Sequence, residues 1–140
     1  MNSEVQSNKP KTIKKELIII ACIALVVCAV LFLLINNGQG SEYINKVKGA
    51  HPSDYPRITY DEAFSKYYKN PKWKYTKKGN DNIVTFSGER SISGKTTTIE
   101  LNFTFFNDKQ FMLTTGAING VKKGKIEIMD YESTPFKNYK

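Results

Sequence analysis

Hydrophobic and polar positions divide the chain into one unbroken apolar run followed by segments of mixed, periodic character. The run, Leu17–Ile35, has 19 residues and no charged, amide or hydroxyl side chain. As a helix rising ~1.5 Å per residue it would extend about 28 Å, close to the ~30 Å hydrocarbon core of a bilayer. A soluble helix would have one polar side, whereas this segment is apolar all round. The pattern therefore predicts a transmembrane helix over residues 17–35.

A shorter segment, Thr59–Lys69, has the spacing of an amphipathic helix. Thr59 and Glu62 are spaced as a capping box, in which the hydroxyl accepts from the Glu62 amide and the carboxylate accepts from the Thr59 amide. Pro71 is expected to stop the helix near residue 69 or 70, because proline disrupts helical backbone at and before its own position. Aromatic residues recur three and four positions apart on one side: Phe64, Tyr67 and Tyr68. This face must pack on another element.

Period-two alternation follows the helix and predicts the strands of an antiparallel sheet. The segments with this pattern are Lys72–Lys77, Ile83–Gly88, Thr96–Phe106 and Gln110–Ile118. In the third segment the apolar positions share one side: Ile99, Leu101, Phe103 and Phe105. Lys125–Tyr131 fits the period of either a strand or a short helix, and we interpret it as a fifth strand. The pattern predicts an α+β fold, with one amphipathic helix packed on a 4–5-stranded antiparallel sheet.

Glycine and proline content sets the predicted boundaries of the domain. Residues 36–57 contain two early glycines, Pro52 and Pro56, which favour a linker, with a short turn of helix at Tyr43–Lys48. Residues 1–16 are polar and without apolar periodicity, as in a disordered tail. The predicted organisation is a cytoplasmic tail at 1–16, a transmembrane helix at 17–35, a linker at 36–57, an extracytoplasmic α+β domain at 58–131 and a frayed tail at 132–140.

The formal net charge of +8 is distributed unevenly about the apolar run. Four lysines precede the run closely, and no Lys or Arg follows it until Lys46: the four are Lys9, Lys11, Lys14 and Lys15. The positive-inside rule therefore places the amino terminus in the cytoplasm and the carboxy-terminal domain outside the cell membrane. Residues 36–140 hold 17 basic and 11 acidic residues, and this excess favours attraction to an anionic membrane or wall polymer.

Both cysteines, Cys22 and Cys28, lie inside the apolar run. Residues 36–140 therefore have no cysteine with which to form a disulfide or a thiolate metal site. Ala21, Ala24 and Cys28 recur at three- and four-residue spacing, and small residues spaced in this way let two membrane helices approach closely. A homo-oligomer formed through this face is one expectation.

The polar residues offer no catalytic constellation, so we expect a protein that is not an enzyme and has no cofactor or metal. His51 is the single histidine and has no evident partner for nucleophilic catalysis. Asp61 and Glu62 are adjacent on the predicted helix and diverge by about 100°, so they cannot flank one bond. Ser93–Thr96 is similar to the end of a phosphate-binding loop, but Glu89 occupies the position of the first glycine of that loop.

Lysines alternate with aromatic residues in the first predicted strand and form a candidate face for an anionic partner: Lys72, Lys74, Lys77 and Lys78. The interleaved Trp73 and Tyr75 are also typical of a platform that stacks the bases of single-stranded nucleic acid. We favour a strand with its aromatic residues inward and its lysines outward, because alternation alone produces this pattern. The expected partners are the lipid bilayer, an envelope component or another membrane protein, and nucleic acid is not expected.

Two motifs around the predicted helix resemble those of a known family. Tyr55–Phe64 has the pattern YP-x-x-T-x-x-EAF, and Asn70–Tyr75 has the pattern NP-x-WKY. They resemble small uncharacterised membrane-anchored proteins of Gram-positive bacteria, in which a membrane helix leads into one extracytoplasmic domain. The resemblance covers roughly Val47–Val121; the chain lacks the zinc ribbon of some members, and Lys125–Tyr131 matches poorly. It implies a bacterial, cell-surface, non-catalytic module and assigns no functional residues.

The motif residues have structural explanations on this chain as helix start, cap, helix stop and aromatic packing: Thr59, Glu62, Phe64, Tyr68, Pro71, Trp73 and Tyr75. We therefore expect a single-pass membrane protein whose extracytoplasmic domain is a binding or structural module. The alternative is a subunit of an envelope-spanning conjugation or secretion assembly, because small proteins of such assemblies share the order of tail, span, helix and curved sheet.

Overall fold

A computed structural model describes residues 38 and 40–140 of the chain. The predicted tail at 1–16, the predicted transmembrane helix at 17–35 and the small-residue face at Ala21, Ala24 and Cys28 lie outside the described residues. Within the described residues, no helix is long and apolar enough to cross a bilayer. The elements are α1 (residues 40–48), α2 (Tyr60–Tyr67), β1 (Lys69–Lys78), β2 (Asp81–Ile92), β3 (Lys95–Phe105), β4 (Phe111–Ile118), β5 (Val121–Gly124) and α3 (Lys125–Lys137).

The five strands form one antiparallel sheet in the order β1-β2-β3-β4-β5, each paired with the next along the chain. This confirms the predicted α+β class and antiparallel sheet. Ser93–Gly94 and Asn119–Gly120 are two-residue turns with both residues at positive φ, the geometry that matches the twist of a hairpin. These two turns lie at one end of the sheet, and the β1–β2 and β3–β4 turns lie at the opposite end.

Aromatic rings fill the space between the helices and one face of the sheet. Phe64 of α2 is fully buried; its ring stacks on Trp73 with centroids 5.8 Å apart and packs on Phe86 at 4.6 Å. The apolar positions predicted to share one side of β3 are all buried: Ile99, Leu101, Phe103 and Phe105. Full burial of one such side chain contributes about 1.5–3 kcal/mol, so this aromatic core is the main source of stability in the domain.

The start of α2 is the predicted capping box. Thr59 is the N-cap; its amide donates to Glu62 Oε2 at 2.8 Å, and the Glu62 amide donates to Thr59 Oγ1 at 3.2 Å. These hydrogen bonds, the one from the Thr59 amide first, lower the pKa of Glu62 because they stabilise the ionised carboxylate. Both amides would otherwise lack a partner at the start of the helix.

The end of α2 differs from the prediction. The helix ends at Tyr67, two residues early, because Tyr68 is extended with φ −100° and ψ 145°. In this conformation the Tyr68 ring packs on Phe86, with centroids 5.2 Å apart, in the space above Gly88. Pro71 does not stop the helix but lies within β1, where the register with β2 is irregular. Burial of the Tyr68 ring on the sheet therefore ends the helix before proline can act.

The interpretation of Lys125–Tyr131 as a strand was wrong, because these residues begin helix α3. The fifth strand is Val121–Gly124. Glu127 accepts a hydrogen bond from the Gly124 amide at 2.9 Å and so caps the new helix, while Ile128 and Phe136 are buried on its inner side. The helix continues through most of the predicted frayed tail at 132–140, because Phe136 belongs to the core.

The predicted linker at 36–57 was also wrong for the residues that the structure describes. Residues 40–48 form helix α1, which includes the short helical turn expected at Tyr43–Lys48. Val47 is fully buried, and the Tyr55 ring stacks on Phe136 with centroids 5.4 Å apart. Apolar side chains spaced too irregularly to indicate a helix from sequence therefore attach this segment to the α+β domain, which extends beyond the predicted bounds 58–131 at both ends.

Candidate functional site

Strand β1 lies at one edge of the sheet and has more basic residues than any other described element. It contains five lysines and no acidic residue: Lys69, Lys72, Lys74, Lys77 and Lys78. All five are exposed, and none of them forms an ion pair with any residue that the structure describes. We call this set the basic edge. Because no ion pair within the described part of the chain neutralises these lysines, the edge attracts anions from solvent.

The aromatic residues between these lysines are turned toward the helices. Trp73 lies against Phe64 and Phe86, and the Tyr75 ring stacks on Tyr43 of α1 with centroids 5.3 Å apart and an interplanar angle of 6°. Their faces are therefore already occupied by aromatic rings of the same chain. A platform for nucleic-acid bases requires open aromatic faces, which this arrangement does not offer at Trp73 or Tyr75.

The four lysines predicted as a single face are divided between the two sides of β1. Lys72, Lys74 and Lys78 alternate with the inward aromatic residues and lie on the open face of the sheet. Lys77 has the opposite orientation and lines a cleft beside α1. Because β1 is an edge strand, all four still border the same exposed margin of the sheet.

The open face of the sheet is polar and largely hydrogen-bonded to itself. Thr85 Oγ1 donates to Asn102 Oδ1 at 2.7 Å, and Asn102 Nδ2 donates to Thr115 Oγ1 at 3.2 Å, which links three neighbouring strands. A second pair of hydroxyls, Thr104 and Thr114, lies 2.9 Å apart. These hydroxyl and amide groups satisfy one another, so they are not left as free ligand-binding groups on this face.

A polar cleft of about 320 Å³ lies where α1 meets the β1–β2 and β3–β4 turns. Three hydrogen bonds cross it: Tyr75 Oη donates to Asn82 Oδ1 at 2.7 Å, Asn82 Nδ2 donates to Tyr43 Oη at 3.0 Å, and Tyr43 Oη donates to Asp108 Oδ1 at 3.1 Å. The remaining lining residues are Glu42, Lys46 and Lys77. The chain of hydrogen bonds holds α1 on the sheet and leaves few free donors or acceptors for a ligand.

The electrostatics of the cleft do not prepare it for proton transfer. Loss of hydration raises the pKa of Tyr43, and the hydrogen bond to Asp108 raises it further. The ion pair with Glu42 at 2.7 Å raises the pKa of Lys46. Both shifts move the groups away from neutral pH, whereas a general base requires a pKa near the working pH. The cleft is therefore a structural junction.

The sequence pattern identified the basic edge but missed the cleft. Tyr43, Asn82 and Asp108 come from three separate segments of the chain. Asn82 lies 39 positions after Tyr43, and Asp108 lies 65 positions after it. Each is a common loop or helix residue on its own, and only the packing of α1 brings them together. Most of the predicted structural residues have their expected roles, with Trp73 and Tyr75 inward and Thr59 and Glu62 at the cap, whereas Pro71 lies in β1 and does not stop the helix.

Comparison of the chain with protein-family models, curated proteins and solved structures finds no match. Among the described residues, no group of three or more His, Cys, Asp or Glu side chains is arranged to hold a metal ion. The assignment of a function therefore depends on the chemistry of the sequence and the fold, and the basic edge is the feature with the clearest ligand preference.

Proposed function

We propose that the protein is a single-pass cell-membrane protein, with its amino terminus in the cytoplasm and a non-catalytic binding or structural domain outside. The observation that carries this proposal is the uncharged run Leu17–Ile35, which is long enough to span a bilayer and has lysines close only on its amino-terminal side. The compact unit Gly38–Lys140 begins three residues after the run, as expected for an anchored domain. The resemblance to membrane-anchored proteins of Gram-positive bacteria supports the same proposal.

The non-catalytic role is supported by the chemistry of the described residues. The cleft beside α1 holds a tyrosine and a lysine whose pKa values are raised, and its central hydrogen bonds connect protein groups to one another. The basic edge consists of exposed lysines that form no ion pair with the described residues, and such side chains are suited to binding anions.

Topology is tested by cysteine labelling in intact cells. Native Cys22 and Cys28 are replaced by alanine, and one cysteine is introduced as Ser3→Cys or Ser91→Cys in the full chain. These substitutions are chemically identical and lie on opposite sides of the apolar run, with Ser91 exposed on β2. A membrane-impermeant maleimide is expected to label the Ser91→Cys variant in intact cells and the Ser3→Cys variant only after lysis.

Labelling of both variants only after lysis would overturn the proposed export of the domain. Release of the chain from membranes by alkaline carbonate would overturn the transmembrane anchor, because an integral helix resists this treatment. Recovery of a mature product beginning after Ile35 would have the same consequence, since it would identify the run as a removed signal.

A second candidate is a subunit of an envelope-spanning conjugation or secretion assembly, and the order of helices followed by a five-stranded sheet favours it. Cross-linking of the full chain in mild detergent is expected to give oligomers, and other membrane proteins are expected to co-purify. Ala24→Leu would disrupt a contact through Ala21, Ala24 and Cys28, whereas Ala29 lies about 140° from Ala24 around a helix, so Ala29→Leu serves as the matched control. A monomer that purifies alone would contradict this candidate.

A further inference from the structure

We infer that the basic edge lies against the anionic lipid headgroups of the leaflet from which the domain emerges. This inference rests on the proposed anchoring and adds the partner of one defined surface. Three observations carry it: where the chain joins the domain, how the charge of β1 is distributed, and which side chains remain free.

The chain joins the domain beside β1. Gly40 is buried at the start of α1, and an ideal Cβ on it would lie 3.0 Å from Cδ1 of the Tyr75 ring. Gly40 lies five positions after Ile35, so their Cα atoms are at most about 18 Å apart. With a span that ends at Ile35, the margin of the sheet that contains Tyr75 is therefore held within reach of the headgroups.

The charge on this margin suits an anionic surface. Residues 36–140 hold 17 basic and 11 acidic residues, and five of the basic residues are the lysines of β1, a strand without acidic residues. Elsewhere, lysines such as Lys46, Lys48 and Lys123 pair with carboxylates of the domain, but the basic edge has no such partner among the described residues. Each lysine close to an anionic leaflet strengthens association about fivefold, so several acting together orient a tethered domain strongly.

The contact is electrostatic and superficial. Trp73 and Tyr75 are packed inside the domain and cannot insert between lipids, so within β1 the lysines make the contact. Such a contact must weaken with salt, because the Debye length falls to ~3 Å at about 1 M. Lysines on an edge strand also discourage pairing with other strands, and that explanation alone predicts no approach to lipid.

The experiment measures which part of the domain approaches the headgroups in lipid nanodiscs. The full chain with Cys22 and Cys28 replaced by alanine receives a nitroxide at Thr76→Cys or at Thr96→Cys. Both are exposed threonines; Thr76 lies on β1, and Thr96 lies on β3 near the opposite end of the sheet. By the strand register the two are about 26 Å apart along the strand direction. Relaxation by gadolinium-chelating headgroups reports their distance from the lipid surface.

In discs that contain phosphatidylglycerol, the label at position 76 is expected to relax several-fold faster than the label at position 96. The difference should shrink in phosphatidylcholine discs, in about 1 M NaCl and in the variant Lys72→Gln/Lys74→Gln/Lys77→Gln/Lys78→Gln. The four lysines are exposed, so this variant is expected to keep the far-ultraviolet circular dichroism of the unmodified chain. A control variant, Lys95→Gln/Lys122→Gln/Lys125→Gln/Lys137→Gln, removes the same charge elsewhere and should keep the difference.

Equal relaxation at the two positions in phosphatidylglycerol discs would overturn the inference. If soluble polyglycerol phosphate then shielded the Thr76→Cys variant from reaction with maleimide, the basic edge would be reassigned to an anionic wall polymer. If it did not, the remaining role of the lysines would be to prevent the edge strand from pairing with other strands. Failure of the anchor is distinguishable, because a chain without a transmembrane helix would not reconstitute into discs of either lipid.

Discussion

The hydroxyl of Tyr68 donates a hydrogen bond of 2.6 Å to the backbone carbonyl of Tyr131 in α3. In an uninterrupted helix that carbonyl would accept from the amide of the residue four positions later, which is Pro135 and has no amide hydrogen. Burial raises the pKa of Tyr68, so its hydroxyl stays protonated and able to donate. A side chain at the end of α2 therefore supplies the hydrogen bond that a proline removes from α3.

This relationship predicts a measurable coupling between Tyr68 and Pro135. Tyr68→Phe should cost about 1–3 kcal/mol of unfolding free energy, because it leaves a part-buried carbonyl without a donor. In a Pro135→Ala background the new amide can satisfy the carbonyl, so the same substitution should cost less by about 1 kcal/mol. Urea unfolding of the four chains, followed by fluorescence of the single tryptophan, measures the coupling; equal costs in both backgrounds would contradict it.

Close packing of Tyr68 predicts that Gly88 cannot be enlarged. An ideal Cβ at Gly88 would lie 2.7 Å from Tyr68 Cβ and 2.9 Å from Phe86 Cζ, so backbone or core rings must move to admit it. Gly88→Ala should therefore destabilise the domain by about 1–3 kcal/mol in urea unfolding. Gly38→Ala is the control, because no heavy atom lies within 4 Å of its ideal Cβ and residue 38 is helical, so alanine should not destabilise the domain.

Two apolar residues of helix α3 are predicted to contribute very unequally to the stability of the domain. Phe136 is buried and packs edge-to-face on Tyr60 with centroids 5.1 Å apart, so Phe136→Ala should cost about 3–5 kcal/mol. Ile126, on the same helix, is 88% exposed, and Ile126→Ala should change stability by less than about 0.5 kcal/mol. Thermal unfolding monitored by circular dichroism compares the two; similar midpoints would show that α3 does not belong to the core.

These packing relationships explain which parts of the fold could be predicted from sequence. Local signals were sufficient for the first four strands and for the start of α2, because alternation along β3 and the spacing of Thr59 and Glu62 directly encode burial and capping. Local signals were insufficient for Lys125–Tyr131, since Ile126, Ile128 and Met129 suit either period. Its helical state depends on the burial of Phe136 against residues more than 70 positions away.

The candidate site, too, could be predicted from sequence only in part. The lysine density of β1 is a property of ten consecutive residues and is visible in the sequence. Its significance depends on β1 being an edge strand next to the point where the chain enters the domain, which only the topology and the contact between Gly40 and Tyr75 reveal. Sequence reasoning therefore located the charge, and the fold supplies the position of that charge on which the proposed approach to lipid rests.

The capping box predicts how stability depends on acid. The Thr59 hydrogen bonds lower the pKa of Glu62 in the folded state, so the carboxylate stabilises the fold fully above its unfolded pKa of about 4.3. That contribution is lost as the pH falls through the lower folded pKa. Between pH 7 and pH 3, Glu62→Gln should therefore lose less unfolding free energy than the unmodified chain. Thr59→Ala, which removes the hydroxyl cap and costs about 1 kcal/mol at pH 7, should also reduce the acid-dependent loss. Urea midpoints at the two pH values measure both effects, and an unchanged loss in Glu62→Gln would show that the cap does not contribute to acid sensitivity.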